Sequence, residues 1–263
     1  MKEITRYAKI WWILTIGTTQ IAFASRFGAA IFMIGKLLRF AFFLLFLVVL
    51  ISKTHSLASY SFWQVIFFYA TFNLVDTLPQ FFLRDVYRFR YQVVSGYFDY
   101  ILTKPFSPLF KALFGGCDVL DFSMLLVSAG FIGIAGSHIG VVTIGNAALY
   151  ILLIVNAFLI ALAFHVVVLS MGILTTEVDN TIMLYRDMTQ IGRFPIEIYK
   201  EPLRGLLTFI IPVGIMMAFP AKAMLGLLSV QLIILSFVVG FLLLFGSYLF
   251  WQYSLRHYSS ASS

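Results

Sequence analysis

Charge is scarce in this 263-residue chain: Asp, Glu, Lys and Arg together make up 11% of it, against 61% hydrophobic residues and a mean hydropathy of +0.98. The surface of a water-soluble domain alone would need roughly twice that charge, so the composition excludes one and points to a polytopic membrane protein. Cysteine is almost absent. Cys117 stands alone and falls in an expected membrane span, which excludes an internal disulfide and argues against a multi-cysteine metal centre or redox chemistry. No Gly-x-x-x-x-Gly-Lys-Ser/Thr run occurs; Gly35-Lys36 lacks the upstream glycine and is followed by leucines, so the chain cannot hydrolyse ATP by that route. His-Glu-x-x-His and Gly-x-Ser-x-Gly are also missing, and His55, His138, His165 and His257 are scattered without the helix-face partner of a zinc site. The chain therefore reads as a non-enzyme with no catalytic residue, metal site or cofactor of its own.

What it has is apolar length. A bilayer-crossing helix takes about 20 apolar residues, and the polar breaks at 52–60, 84–111, 137–140, 173–204 and 222–230 leave room for about six crossings. The expected class is an all-α integral membrane protein with no sizeable soluble domain. Residues 1–30 mix Arg6, Lys9 and Arg26 with Trp11, Trp12 and Phe23, the pattern of an amphipathic helix lying in the headgroup layer. No small-residue cleavage site follows it. Residues 31–263 then form one transmembrane domain, ending in a Ser-rich tail, Ser259 to Ser263, that reads as frayed. Spans are expected at about 31–51, 61–82, 113–135, 143–171 and 231–251. The short Gly136-Ser137-His138-Ile139-Gly140 turn makes the third and fourth an antiparallel hairpin, and Trp251 and Tyr253 end the last as an aromatic belt.

The remaining span admits two readings. Hydropathy favours 205–221, which places every Lys and Arg except Lys53 and Lys222 on the cytoplasmic side. The other reading makes 179–195 the crossing element and folds 196–222 back as a re-entrant hairpin on the outer side, shielded by protein because unpaired backbone cannot face lipid. It moves Arg193, Lys200 and Arg204 outside and leaves Arg186 within the membrane. Both readings put both termini in the cytoplasm. The formal charge of +7 thus reports topology and membrane lipid, with no nucleic acid as partner.

A carboxylate at the bilayer centre costs about 2.5–3.5 kcal/mol, which marks Asp76, Asp118, Asp121 and Arg186 as candidates for a translocation path. Asp118 and Asp121, three residues apart, share a face if the third span is helical there. They could line a route for a cationic or amphipathic substrate or accept protons; alternatively both sit near the cytoplasmic interface and pair with Lys104, Lys111 or water. Asp76 with Pro79 could equally be a kinked helix end. Asn156 and His165 are placed to hydrogen-bond across helices, and the glycines at 130, 133, 136 and 140 to permit close packing.

The stretch 84–111 is more informative. Arg84, Arg88 and Tyr91 recur at helical spacing with Asp85 beside them, and Pro105 and Pro108 close the segment. It reads as a short amphipathic helix at the cytoplasmic surface, either docking a partner or adhering to anionic lipid.

Gly96-x-x-Asp99-x-x-Leu102-x-x-Pro105-x-x-Pro108-Leu109 resembles a pattern of the bacterial type-two ATP-binding-cassette (ABC-2) transporter permeases. A second block agrees: Phe194-Pro195-Ile196-Glu197-Ile198-Tyr199, then Leu206 to Pro212, then Phe219-Pro220-Ala221. The resemblance implies a membrane subunit in the bacterial plasma membrane, paired with a second permease, identical or homologous, and with two copies of a separate cytoplasmic ATPase that carries the ATP and Mg. Most such systems export, so a drug, peptide, lipid or other amphipathic cargo is implied. It also implies that 84–111 holds a coupling helix, with Arg84, Arg88, Arg90, Gly96 and Asp99 presented to the ATPase. Pro195, Glu197, Tyr199, Pro212 and Pro220 would cap the path on the outer side, the last two breaking 196–222 into two short helices, and the re-entrant reading is the one favoured. Two other readings stand beside it: a proton- or sodium-coupled secondary transporter using Asp118 and Asp121, though no internal repeat is visible, and a non-transporting assembly or immunity factor.

Overall fold

The computed structural model describes residues 2–54, 56–140, 142–175 and 178–259; His55 and most of the Ser-rich tail lie outside them. The described residues hold no strand beyond an isolated bridge between Leu57 and Tyr60. Helix α1 (Lys2–Ala24) ends at Ser25, and α2 (Arg26–Thr54) follows at once. The break between the first two helices thus falls at Ser25, before residue 30. α1 turns Tyr7, Trp11, Thr15 and Thr18 toward the body of the protein and leaves Ile4, Trp12, Ile13 and Ile21 exposed, as a helix with one face in lipid does.

α3 (Phe62–Phe82) is the axis of the bundle. Its buried residues run almost unbroken from Val65 to Gln80, and Asn73, Asp76 and Gln80 are among them. Protein surrounds it, so it tolerates polar side chains that lipid would not. Among the described residues four helices are long and apolar enough to cross a membrane, or five if the bent pair Leu203–Ile210 with Gly214–Met224 counts as one, and α3 falls outside that set. They are α2, the segment Val119–Gly136, whose regular part is a later helix α7, and the two longest after it.

After α3 the chain makes a 3-10 turn (Arg84–Arg88), α4 (Phe89–Val94), a left-handed glycine, α5 (Tyr97–Leu102) and α6 (Pro108–Leu113). Gly96 has φ +73°, which the reversal between α4 and α5 requires and a side chain would strain. Ser107 caps α6 by accepting from the Phe110 amide, with Pro108 in the first turn. Residues 114–118 are irregular, and α7 (Phe122–Gly136) begins only after the 3-10 turn Val119–Asp121. Asp118 and Asp121 therefore precede the third long helix and share no face of it, a correction to the expectation above. Asp118 instead caps the turn, accepting from Leu120 N at 3.2 Å; polar side chains at this boundary cap helices more readily than they enter them.

α8 (Ile144–Thr175) and α12 (Val230–Arg256) form the most extensive helix pair, and α7 packs chiefly on α3. The α8–α12 seam closes at Asn156, which donates to the Ser236 carbonyl at 2.9 Å, and at Gly240, where an added Cβ would lie 2.2 Å from Asn156 Oδ1. Gly240→Val should destabilise the purified protein by about 1–3 kcal/mol through overpacking. Thermal unfolding in detergent measures this, and Asn156→Ala in the same chain should recover most of the loss. The expected glycines serve otherwise: a Cβ at Gly130, Gly133 or Gly136 would meet nothing within 4 Å. His165 bonds the Ala161 carbonyl of its own helix rather than a neighbour.

Two ends of the bundle can be distinguished. The near end carries 83–121 and the starts of α2 and α9 (Asp179–Gln190); the far end carries 56–61 and the start of α8. From α9 the chain climbs along α2. Ile182 packs with the near-end core, Arg186 lies by Lys36 and Arg39, Phe194 meets Phe43 at a tilt and Phe46 edge-on, and Glu197 reaches Tyr60. The following α10 (Leu203–Gly205) runs into a π-helical turn (Leu206–Ile210), bends by 80° and returns as Gly214–Ala218 and α11 (Phe219–Met224). Asn146 Nδ2 donates to the Met224 carbonyl at 3.5 Å, which returns the chain to the far end. Residues 179–195 thus run from the near end to the far end, and Leu203–Ile210 with Gly214–Met224 form a pair bent by 80°, the geometry of a broken span or of a re-entrant loop. The apolar run 205–221 divides: Leu207, Val213 and Ile215 to Phe219 are buried in protein, while Leu206, Phe209 and Ile210 are exposed. Pro212 stands at the bend as expected. Pro220 does not break its arm: it lies where the π turn passes into α11, and the wider π turn accommodates the missing N–H.

Candidate functional site

The near end is a folded unit rather than one surface helix. Phe89, Val93, Phe98 and Ile101 turn inward with Leu83 and Val86 and meet Val166, Leu169 and Ile173 of α8. Trp251 lies beneath, its ring 6.4 Å from both Phe89 and Phe98. It is 2% exposed, so it belongs to this core and not to an aromatic belt, whereas Tyr253 is exposed as expected. Buried Asp85 ties the unit together: it accepts from Lys111 Nζ at 2.7 Å and Gln92 Nε2 at 3.3 Å, with Arg88 4.0 Å away. Asp99 accepts from the Tyr258 hydroxyl at 2.8 Å. Burial first, and then that carboxylate, push the phenol up to about 12, so it stays a donor at neutral pH and ties the chain's end to α5.

Facing outward from this unit are Arg88, Arg90, Tyr91, Val94, Tyr97 and Tyr100. Arg90 lies 3.9 Å from Asp179 on an exposed site, where such a pair contributes little. The geometry differs from the sequence reading at Arg84, which is held inward by Asp118 at 3.3 Å and stacks over Tyr87. Tyr91 was read as part of this face; Val94, Tyr97 and Tyr100 were missed, although their spacing of three across a polar segment is a readable signal.

Beside this unit a cleft of about 310 Å³ opens between α2, α3 and α9, lined by Phe32, Gly35, Lys36, Arg39, Gln80, Arg84 and Arg186. Asp121, fully buried, pairs with Lys36, and Asp118 with Arg84; neither meets Lys104, which sits over Tyr100, or Lys111. Asp76 accepts from Gln80 at 3.0 Å deeper in the protein, within the field of Arg39, Arg186 and Arg193. The four candidate path residues thus gather around one region, with Asp118 and Asp121 already neutralised by cations. Cys117 beside them is held as the thiol, burial pushing it up to about 11.

Toward the other side of α9, an apolar cavity of about 470 Å³ lies between α8, α9 and the bend, lined by Phe164, Val168, Tyr185, Met188, Ile211 and Met216 among others. At the far end Lys222 and Glu197 form an ion pair at 2.5 Å that clasps the two ends of the folded-back segment. Burial, and then Glu197, raise the Tyr60 phenol above its usual range. Tyr199 donates to the Ile191 carbonyl at 2.9 Å, and Pro195 precedes a 3-10 turn, Ile196–Ile198. These residues therefore shape the turn between the traversing and returning segments.

A family model described as an ABC-2 family transporter protein matches residues 37–262. No curated protein and no solved structure matches the chain.

Proposed function

The chain belongs to the ABC-2 family of transporter proteins and is a multi-pass permease subunit of an ABC transporter; on that premise we propose that it exports an amphipathic compound, powered by two copies of a separate cytoplasmic ATPase. A second permease, identical or homologous, completes the assembly, which sits in a bacterial plasma membrane. The near end faces the cytoplasm and both termini lie there. The chain crosses six times, through α2, α3, α7, α8, the 179–195 segment and α12, with 196–222 re-entrant from outside.

The observation that carries this reading is the near-end unit. It packs through Phe89, Phe98 and Trp251 onto α8 and α12, so force applied to it reaches two of the longest helices, while Tyr91, Val94, Tyr97 and Tyr100 stay free for a partner. Exposed aromatics flanked by arginine are the composition of interface hot spots. Arg88 and Arg90 are the charges best placed for the ATPase, with Gly96 shaping the turn and Arg84 and Asp99 holding it. Asp118 and Asp121 serve as the fixed ends of ion pairs, which leaves the gradient-driven reading without free carboxylates there.

Purification of the tagged chain should bring down an ATPase with phosphate-binding loops. Tyr91→Glu with Tyr97→Glu should weaken that association by about a hundredfold, as loss of two hot-spot side chains does, with unchanged thermal stability. Efflux that survives ATP depletion and stops when the ion gradient collapses would sink the proposal.

A further inference from the structure

The cleft between α2, α3 and α9 carries positive charge that its carboxylates do not cancel. Lys36 and Arg84 are committed to Asp121 and Asp118. Arg39 and Arg186 have no ion-pair partner within 4.0 Å among the described residues. Asp76 acts on both from deeper in the protein but must also balance Arg193. Asp187 follows Arg186 on α9 and projects about 100° away from it. Two guanidinium groups, those of exposed Arg39 and half-buried Arg186, therefore line one opening at the edge of the apolar bundle, where an anion can pair with both.

The walls define what fits. At about 310 Å³ the cleft is at the small end of ligand sites, which run from about 300 to 1,000 Å³: room for a head group and not for a whole amphiphile. Its lip is apolar. Phe32 borders the cleft, and Ile31, Ile34 and Leu38 continue exposed along α2. Paired guanidiniums suit planar or tetrahedral oxyanions, which they hold by two parallel hydrogen bonds.

We propose that this cleft binds the phosphate-type anionic head of an amphipathic molecule, whose tail lies along the exposed face of α2, with Arg39 and Arg186 as the recognition pair. The assignment of that occupant as cargo rests on the exporter reading; the binding itself does not, since it needs no ATPase. Membrane lipid and exported amphiphile share this chemistry.

The test is a calorimetric titration of the full chain in neutral maltoside micelles with dodecyl phosphate, inorganic phosphate and dodecyltrimethylammonium. Dodecyl phosphate should bind saturably, and the dodecyltrimethylammonium cation should not. Arg39→Gln with Arg186→Gln should weaken dodecyl phosphate by about tenfold or more, the loss expected for charged hydrogen bonds, whereas the Arg39→Lys with Arg186→Lys chain, which keeps the charge and loses the parallel hydrogen bonds, should bind with intermediate affinity. Equal binding by the parent and the Gln pair overturns the proposal, as does inorganic phosphate binding as tightly as the amphiphile. Repeating the titration after reconstitution in phosphatidylglycerol or phosphatidylcholine vesicles separates the sources. Loss of probe binding only in phosphatidylglycerol makes bilayer lipid the occupant; equal probe binding in both makes the site one for cargo. If no ATPase accompanies the chain yet dodecyl phosphate binds, the exporter reading fails and the site stands; the reverse result removes the site alone.

Discussion

Lys36→Met should cost the protein about 3–5 kcal/mol, because it strands a buried charge whose only ion-pair partner among the described residues is Lys36. Asp121 has no exposed side-chain surface; one carboxylate oxygen meets Lys36 and the other has no hydrogen-bond partner. Removing the ammonium leaves a desolvated anion, and protonating that anion to escape the penalty costs free energy too. The loss is read as a fall in the thermal midpoint of the purified chain in detergent. Asp121→Asn added to Lys36→Met should restore most of it, since a buried pair replaced on both sides is close to neutral while a broken one is not. If the double variant is as unstable as the single one, Lys36 acts through packing over Phe32 and not through its charge.

Trp251→Ala should have an effect of similar size and a different character. Truncating a fully buried aromatic costs about 3–5 kcal/mol, and this ring sits where Phe89 and Phe98 rest on α12. Amide hydrogen exchange across residues 84–102 should accelerate by about a hundredfold or more, equivalent to about 3 kcal/mol of lost local protection, while the far-end helices keep theirs. ATPase stimulation should fall with it, and Trp251→Phe should preserve both. Uniform acceleration throughout the chain would show that Trp251 supports the bundle generally and does not link it to the near-end unit.

The near-end unit was legible in the sequence because a long polar interruption with Pro105 and Pro108 has few explanations in so apolar a chain. Its internal organisation was not. Arg84, Arg88 and Tyr91 read as one helical face, yet the chain tightens into a 3-10 turn at Arg84–Arg88 before α4, because Arg84 turns back to Asp118 and Asp85 to Lys111. Those partners come from distant positions, and no local pattern announces them. Asp118 and Asp121 misled for the same reason: three-residue spacing implies a shared face only where the helix has already begun. At 205–221 hydropathy and the resemblance point to different arrangements, a crossing helix and a fold-back, and the 80° bend beside Pro212 suits a broken span as well as a re-entrant loop. Burial by protein and burial by lipid select the same residue types, and only packing distinguishes them.

α3 has a consequence for how the chain is made. In the proposed six-crossing arrangement, synthesis delivers it to the membrane before α7 and α8, the helices that later enclose it, exist. Asn73, Asp76 and Gln80 then have no shelter, and on insertion scales an aspartate alone weighs about 2.5–3.5 kcal/mol against entry at the helix centre. The helix at the centre of the finished protein is thus its least self-sufficient as a nascent segment. In that arrangement its place in the bilayer is secured retroactively, by sequence translated after it.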